Sequence, residues 1–359
     1  MCSPHRPSDA QHLLITGITG YIGFKTLLLA LERGYRVRGI IRSDRNISEL
    51  QSKSSFIGHC YAQGQLDLTV IPDFFDIGIW IKALDGISSI LHLASPLAIE
   101  CDNYETAIIK PAISMVTTVL EAASRVPTVK RVVVTSSCVT LVPFEWNSNP
   151  DSERLYTVSD GNWSPNRPFQ NAMEAYWASK ALSRLATRNF VVDRKPQFDF
   201  VNLLPSVVIG PDERIAPTEG VDSLLQGTRA AVLAPALDGS TNSAFPYVGV
   251  PVHVADVAKA HVDAAITDLI PGNSEFILSS DTPDGVVWDK DIRSIATKFF
   301  AREVGDQALP MKGTLPSIKW RLDGRTTEDA FGWKFRTFED TMRELIGQYL
   351  GLKRNMLGG

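Results

Sequence analysis

The chain has 359 residues, 44% of them hydrophobic and 21% charged, with 36 basic against 40 acidic side chains and a formal charge of −4. Lys and Arg are scattered without a basic run, which argues against a polyanion or membrane-surface partner, and the length allows a substantial core and two lobes. Cys2, Cys60, Cys101 and Cys138 lack C-x-x-C spacing, so neither a zinc site nor a disulfide framework is expected, and no metal is.

The N-terminal MCSPHRPSDAQH is polar and has no hydrophobic signal region. No apolar run approaches the ~18 residues that span a bilayer, so a cytosolic protein with no membrane or nucleic-acid partner is expected. In chain order, strands are predicted at His12–Ile15, Arg36–Ile41, Asp67–Ile71, Ser89–Leu93, Arg131–Thr135 and Phe198–Leu204. Helical patterns lie between them, at Tyr21–Glu32, Tyr104–Ser124 and Tyr176–Val192. Such alternation predicts βαβ units in an α/β fold, a Rossmann-type doubly wound parallel sheet. The stretch 141–170, rich in Pro, Asn, Ser and Asp, reads as a long loop. Beyond Pro211 the pattern turns irregular, then gives a helix at Val254–Ala265, a strand at Glu275–Leu278 and a mostly helical end. The expected division is a nucleotide-binding domain over 10–211, completed by elements around 250–280. A smaller substrate-binding lobe would take 212–249 and 281–359.

The first strand runs into T-G-I-T-G-Y-I-G, with Gly17, Gly20 and Gly23 three residues apart. In that strand–helix context Gly17 permits a tight turn, Gly20 close approach to a pyrophosphate, and Gly23 close helix–strand packing. Thr19, Tyr21 and Ile22 complete the loop. The second strand ends R-G-I-I-R-S, with Arg42 where an NAD site places an acid for the ribose 2′-hydroxyl. A cation there suits a 2′-phosphate, hence NADP(H), with Arg38 and Arg45 close by.

Tyr-x-x-x-Lys puts a phenol and an ammonium on one helix face, where the cation can lower the phenol's pKa and the phenol can pass a proton to a carbonyl oxygen. The pattern occurs at Tyr21/Lys25, Tyr176/Lys180 and Tyr349/Lys353. Tyr21 lies inside the glycine loop and Tyr349 near the chain end, after the sheet pattern is complete. Tyr176 alone opens a long helix between the fifth and sixth strands. The fifth strand, K-R-V-V-V-T-S-S, ends in hydroxyls at the edge where doubly wound sheets bind ligands.

These stretches, together with I-P-D-F, H-L-A-S-P, L-L-P-S-V-V-I-G-P and V-H-V-A-D-V-A-K-A-H-V, resemble the extended short-chain dehydrogenase/reductase superfamily. Within it the chain is similar to the dihydroflavonol reductase-like group of NADPH-dependent ketone and aldehyde reductases. The resemblance implies Ser137 as the hydroxyl that orients the carbonyl, Tyr176 as acid, and Lys180 as its partner on the nicotinamide ribose. It places Asp73 and Phe74 beside adenine, Ala94 and Ser95 at the strand-end contacts, and Pro205 to Val208, Val207 included, around the carboxamide. Asp256 and His261 match a recurrent helix and read as structural. Cys138 reads as a small buried residue. The chain lacks the Asn that plant flavonoid reductases carry after the paired serines, and has N-A-M-E-A-Y where cinnamoyl-CoA reductases have N-W-Y-C-Y. Neither flavonoids nor acyl-CoA thioesters are therefore implied as substrate. The expected function is reduction of a small-molecule aldehyde or ketone, and the apolar C-terminal half suggests a moderately large, apolar one. The rivals are an epimerase or dehydratase of the same fold and a non-catalytic NADP-sensing protein. The substrate, the stereochemistry and the oligomeric state are not legible at this level.

Overall fold

The computed structural model describes residues 11–357. Cys2 and the polar leader through residue 10 lie outside the described residues. Two compact units emerge, one of residues 11–144, 158–204 and 258–276, the other of 145–157, 205–257 and 277–357.

The first unit is built on a seven-stranded sheet: β1 (His12–Thr16), β2 (Arg36–Ile41), β3 (Leu66–Val70), β4 (Ser89–His92), β5 (Arg131–Thr135), β6 (Asp199–Pro205) and β7 (Ser274–Leu278), the last two running on into the second unit. Their spatial order is β7-β6-β5-β4-β1-β2-β3, with parallel pairing from β3 through to β6. Strand order therefore reverses at β1, whose neighbours are β2 and β4. That reversal opens a crevice at the carboxyl ends of β1 and β4, where ligands bind in doubly wound sheets. The strands are near-continuous apolar runs because both faces are covered. Leu14, Ile90, Val132 and Val134 pack with Trp80, Val119 and Leu120 in the main core of this unit.

Helices α1 (Tyr21–Glu32), α2 (Arg45–Lys53), α3 (Ser55–Ala62), α4 (Ile77–Ala83), α5 (Lys110–Ser124) and α6 (Ala172–Arg194) connect the strands. Three of these, α2 to α4, are not among the helices expected from the sequence. I-G-I-W-I in α4 alternates like a strand, and the end cap decides the outcome. Asp76 Oδ1 accepts from the amides of Gly78 and Ile79 at 2.8 and 3.2 Å, satisfying first-turn donors. Similarly, Ser54 Oγ accepts from Ile57 N to open α3. A π-helical turn, Glu105–Ile109, precedes α5. Together they form a helix, Glu105–Ser124, long and apolar enough by length and composition to cross a membrane, although Lys110 and Glu121 interrupt its apolar run. More than half of it is buried inside the protein.

The second unit has its own core, with Trp288, Ile292, Phe338, Met342, Leu345 and Tyr349 among its members, from the helices Trp288–Phe299 and Phe338–Leu357. It also claims residues 145–157, which sequence assigned to the nucleotide-binding domain. The cause is aromatic packing. Trp146 Nε1 donates to Tyr156 Oη at 2.8 Å, and the Trp146 ring centre lies 5.0 Å from that of Trp320. The stretch read as one long loop is thus divided between the two units.

Candidate active site

At the crevice, Gly17 follows β1 with φ +72°, a left-handed conformation that disfavours side chains. A Cβ there would lie 3.0 Å from Ala94 N, because the ends of β1 and β4 are in contact. Gly23, in the first turn of α1, is tighter still: a Cβ would meet Gly17 O at 2.0 Å. Gly20 is exposed at the N-cap of α1, which has no side-chain cap, and Thr19 beside it is exposed. Tyr21 and Ile22 are half-buried in the first turn. The loop therefore offers bare backbone and a helix N-terminus, the arrangement that accommodates a pyrophosphate.

Two residues not singled out from sequence form the floor. Thr16 Oγ1 accepts from the amides of Leu93 and Ala94, each at 3.0 Å, and lies 3.0 Å from His92 Nδ1. With both lone pairs engaged, the Thr16 hydroxyl donates to Nδ1, which requires neutral imidazole with its hydrogen on Nε2. Burial, with the nearby Lys180 charge, pushes His92 down to about 3, in keeping with that form. Both residues sit inside motifs already quoted, and their role becomes visible only once β1 and β4 are neighbours. Ala94 and Ser95 are half-buried beyond β4.

At the end of β2, Arg42 is exposed and has no ion pair or side-chain hydrogen bond among the described residues. Arg38 is committed elsewhere: it pairs with Asp67 at 2.8 Å and donates to the carbonyls of Ala83 and Asp85. Arg45 is exposed at the start of α2. After β3, the Phe74 ring is held 4.8 Å from that of Trp80, leaving Asp73 the exposed member of the pair.

Ser137 follows β5 and opens a 3₁₀ turn, Cys138–Leu141. Its Oγ accepts from Val139 N at 3.3 Å, and its side chain also hydrogen-bonds Cys138, a weak partner that a carbonyl oxygen would displace. Helix α6, which packs against this turn, carries Tyr176 and Lys180. Asn171 caps it by accepting from Glu174 N at 2.9 Å. Lys180 Nζ lies 5.8 Å from the centre of the Tyr176 ring. Burial pushes Tyr176 up to about 12, the adjoining Cys138 adding to it, and pushes Lys180 down to about 8. This reverses the sequence expectation of a lowered phenol pKa: desolvation of the phenolate dominates, and no offsetting attraction from Lys180 is resolved. Burial likewise pushes the Cys138 thiol up to about 12, which leaves it inert. The rival pairs are placed differently. Tyr349 is buried in the second unit's core with Lys353 donating to Ala308 O, and Tyr21 belongs to the glycine loop.

Pro205, Val207 and Val208 lie in the second unit. There Ser206 N donates to Leu278 O, Val207 N to Val250 O, and Val208 O accepts from Thr228. Much of the hydrogen-bonding capacity expected for a carboxamide is thus used within that unit. His261 is fully buried against Thr135 Oγ1 at 2.7 Å, and Asp256 accepts from Arg336 N at 2.7 Å.

Residues 13–270 match the family model described as NAD dependent epimerase/dehydratase family. The chain belongs to that family. It is 32% identical to ketoreductase CTB6 of Cercospora beticola over 95% of both chains, and 29% identical to aldehyde reductase 2 of Sporidiobolus salmonicolor over 94% of this chain and 96% of that one. In fold it is similar to yeast methylglyoxal/isovaleraldehyde reductase Gre2 complexed with NADPH, with a TM-score of 0.76, 20% identity, and coverage of 96% and 100%.

A nicotinamide dinucleotide fits the residues present. The glycine cradle admits no side chain at Gly23, and Lys180 is a buried ammonium with no hydrogen bond or ion pair among the described residues. Such a group calls for oxygen acceptors, as ribose hydroxyls would supply. In the cofactor-free protein it is a stability penalty. Its folded pKa, about 8, lies below the unfolded value of 10.5, so the unfolded chain binds more protons between those pH values and stability rises with pH across that window. Lys180→Met should therefore be more stable than wild type at pH 7, by roughly 2–3 kcal/mol. The advantage should shrink as pH rises from 8 to 10.5, as read by denaturant titration. A variant less stable at pH 7 would contradict the assignment of a largely desolvated ammonium without a hydrogen-bond partner.

Proposed function

We propose that the chain is an NADPH-dependent carbonyl reductase that converts a small aldehyde or ketone to its alcohol, with Tyr176 as general acid. The observation that carries this reading is geometric: Tyr176 and Lys180 share one face of a helix that packs against the turn of Ser137. A reduction needs a proton donor at the carbonyl oxygen, and a phenol is protonated at neutral pH. NADPH supplies the hydride when bound. Ser137 donates a hydrogen bond to the carbonyl oxygen, fixing it toward the phenol and stabilising the charge it gains. Tyr176 passes its proton to that oxygen. Lys180 binds ribose hydroxyls and, once those acceptors satisfy it, holds positive charge near the phenol as its proton leaves. The ketoreductase and aldehyde reductase relatives support the reaction class, and the Gre2 complex supports the cofactor. Arg42 supports NADPH over NADH, since an exposed guanidinium at the end of β2 can clamp a 2′-phosphate.

Tyr176→Phe should lower kcat for carbonyl reduction by at least ~10²-fold, the scale of general acid catalysis, while NADPH affinity stays within about twofold. A variant turning over within a few-fold of wild type would contradict the assignment. Arg42→Ala should weaken NADPH binding by about 10- to 100-fold, from the loss of charge-assisted hydrogen bonds, and leave NADH nearly unchanged. Dissociation constants for both cofactors at one ionic strength check this. Equal weakening of both would mean that Arg42 supports the fold.

A further inference from the structure

Helix α6 carries a third polar residue on the face of Tyr176 and Lys180. Arg184 lies one turn beyond Lys180, its side chain fully buried. Its guanidinium meets five acceptors. Nε lies 3.2 and 3.1 Å from the Glu275 carboxylate oxygens, and Nη2 reaches Glu275 Oε2 and Val158 O, both at 2.5 Å. Nη1 donates to Asp160 O at 2.9 Å and to Thr140 Oγ1 at 3.2 Å. Glu275 is itself almost buried and also accepts from Asn202 Nδ2 at 2.8 Å. The Trp163 ring covers the outer side, its centre 4.8 Å from Arg184 Cζ.

The contact with Thr140 connects this hub to the reacting groups. Thr140 is fully buried, and its hydroxyl and amide both donate to Ser137 O, at 2.8 and 3.1 Å. Asn162 N donates to Thr140 O at 2.9 Å, so the strap over Arg184 also grips the turn. Arg184 is thus bonded through one residue to the backbone of Ser137, and through eight residues of helix to Tyr176. A fully buried pair can cost more in desolvation than it returns in attraction, so stability alone is a weak reason for this hub.

We propose that Arg184 is a positioning residue, which through Thr140 locks the Ser137 turn onto helix α6 and so fixes the distance between the carbonyl-orienting hydroxyl and the Tyr176 phenol. The inference rests on the proposed carbonyl reduction for its kinetic consequence. Its mechanical content, the coupling of turn to helix, does not.

Thr140→Val removes the hydroxyl while keeping the shape and leaving the Arg184–Glu275 pair intact. Carbonyl reduction should lose about 10- to 100-fold in kcat, the scale of a misplacement of about 1 Å, with KM and NADPH affinity within about twofold. Thr140→Ser, which keeps the oxygen, should restore most of it. Amide hydrogen exchange of the cofactor-free protein supplies the second readout. Protection should fall together at 137–141 and at 176–184 in Thr140→Val. If Thr140→Val does not fold, Arg184→Lys takes its place, since an ammonium can pair with Glu275 but cannot span Thr140, Val158 and Asp160 at once. It should show the same kcat loss and the same joint loss of protection. Unchanged kcat with a lowered melting temperature, or exchange that changes at 137–141 alone, would overturn the proposal. Absence of carbonyl turnover in the wild-type protein would sink the proposed function, while the exchange measurement would still decide the coupling.

Discussion

A helix packed against a sheet ordinarily turns apolar side chains inward, but α6 turns Tyr176, Lys180 and Arg184 inward at four-residue spacing. The cost of taking these groups out of water shapes the rest of the site. Each meets it differently. Tyr176 stays neutral, pushed up to about 12 by burial. Arg184 is matched by Glu275 and three neutral acceptors. Lys180 keeps neither a hydrogen-bond or ion-pair partner among the described residues nor its ordinary pKa. A neutral acid, a fixed cation and an unsatisfied cation on one face form a division of labour. In the proposed mechanism the first gives a proton, the second holds geometry, and the third is left for a ligand to satisfy.

The sheet supplies the other half. Reversal of strand order at β1 brings Gly17 against Ala94 and Thr16 against His92, so the crevice floor is made of neutral groups already bonded to one another. The glycines are there because backbone stands where side chains would, 2.0 Å being far inside any contact distance for a Cβ at Gly23. Relatives named for ketone and aldehyde reduction and a family match over residues 13–270 agree with a fold that holds a nicotinamide dinucleotide.

Much of the sheet was legible in the sequence, because its strands are apolar runs bounded by turn residues. Arg36–Ile41 and Arg131–Thr135 coincide with their predicted ends, and the other strands fall within a residue or so. Helices α3 and α4 were not, since single side-chain caps at Ser54 and Asp76 set their starts. The allocation of 145–157 was hidden too, for Trp146 and Trp320 are 174 positions apart and local pattern holds no record of their packing. At the site, spacing placed Tyr176 and Lys180 on one face, but the direction of the phenol shift depends on burial, which spacing does not encode. Thr16, His92 and Arg184 escaped for a related reason: each acts through partners distant in sequence. An arginine at i+8 from the tyrosine, on a face otherwise due to be apolar, was the available signal for the last of them.

The central claim is that hydride moves from NADPH to a carbonyl carbon on this protein. The most direct measurement follows deuterium from NADPH carrying two deuterons at nicotinamide C4 into product, across a panel of aldehydes, diketones and larger apolar ketones, by mass spectrometry. The account predicts an alcohol carrying one deuterium on the former carbonyl carbon, formed in step with NADPH consumption. No NADPH consumption with any carbonyl, or consumption without deuterium at that carbon, would contradict it.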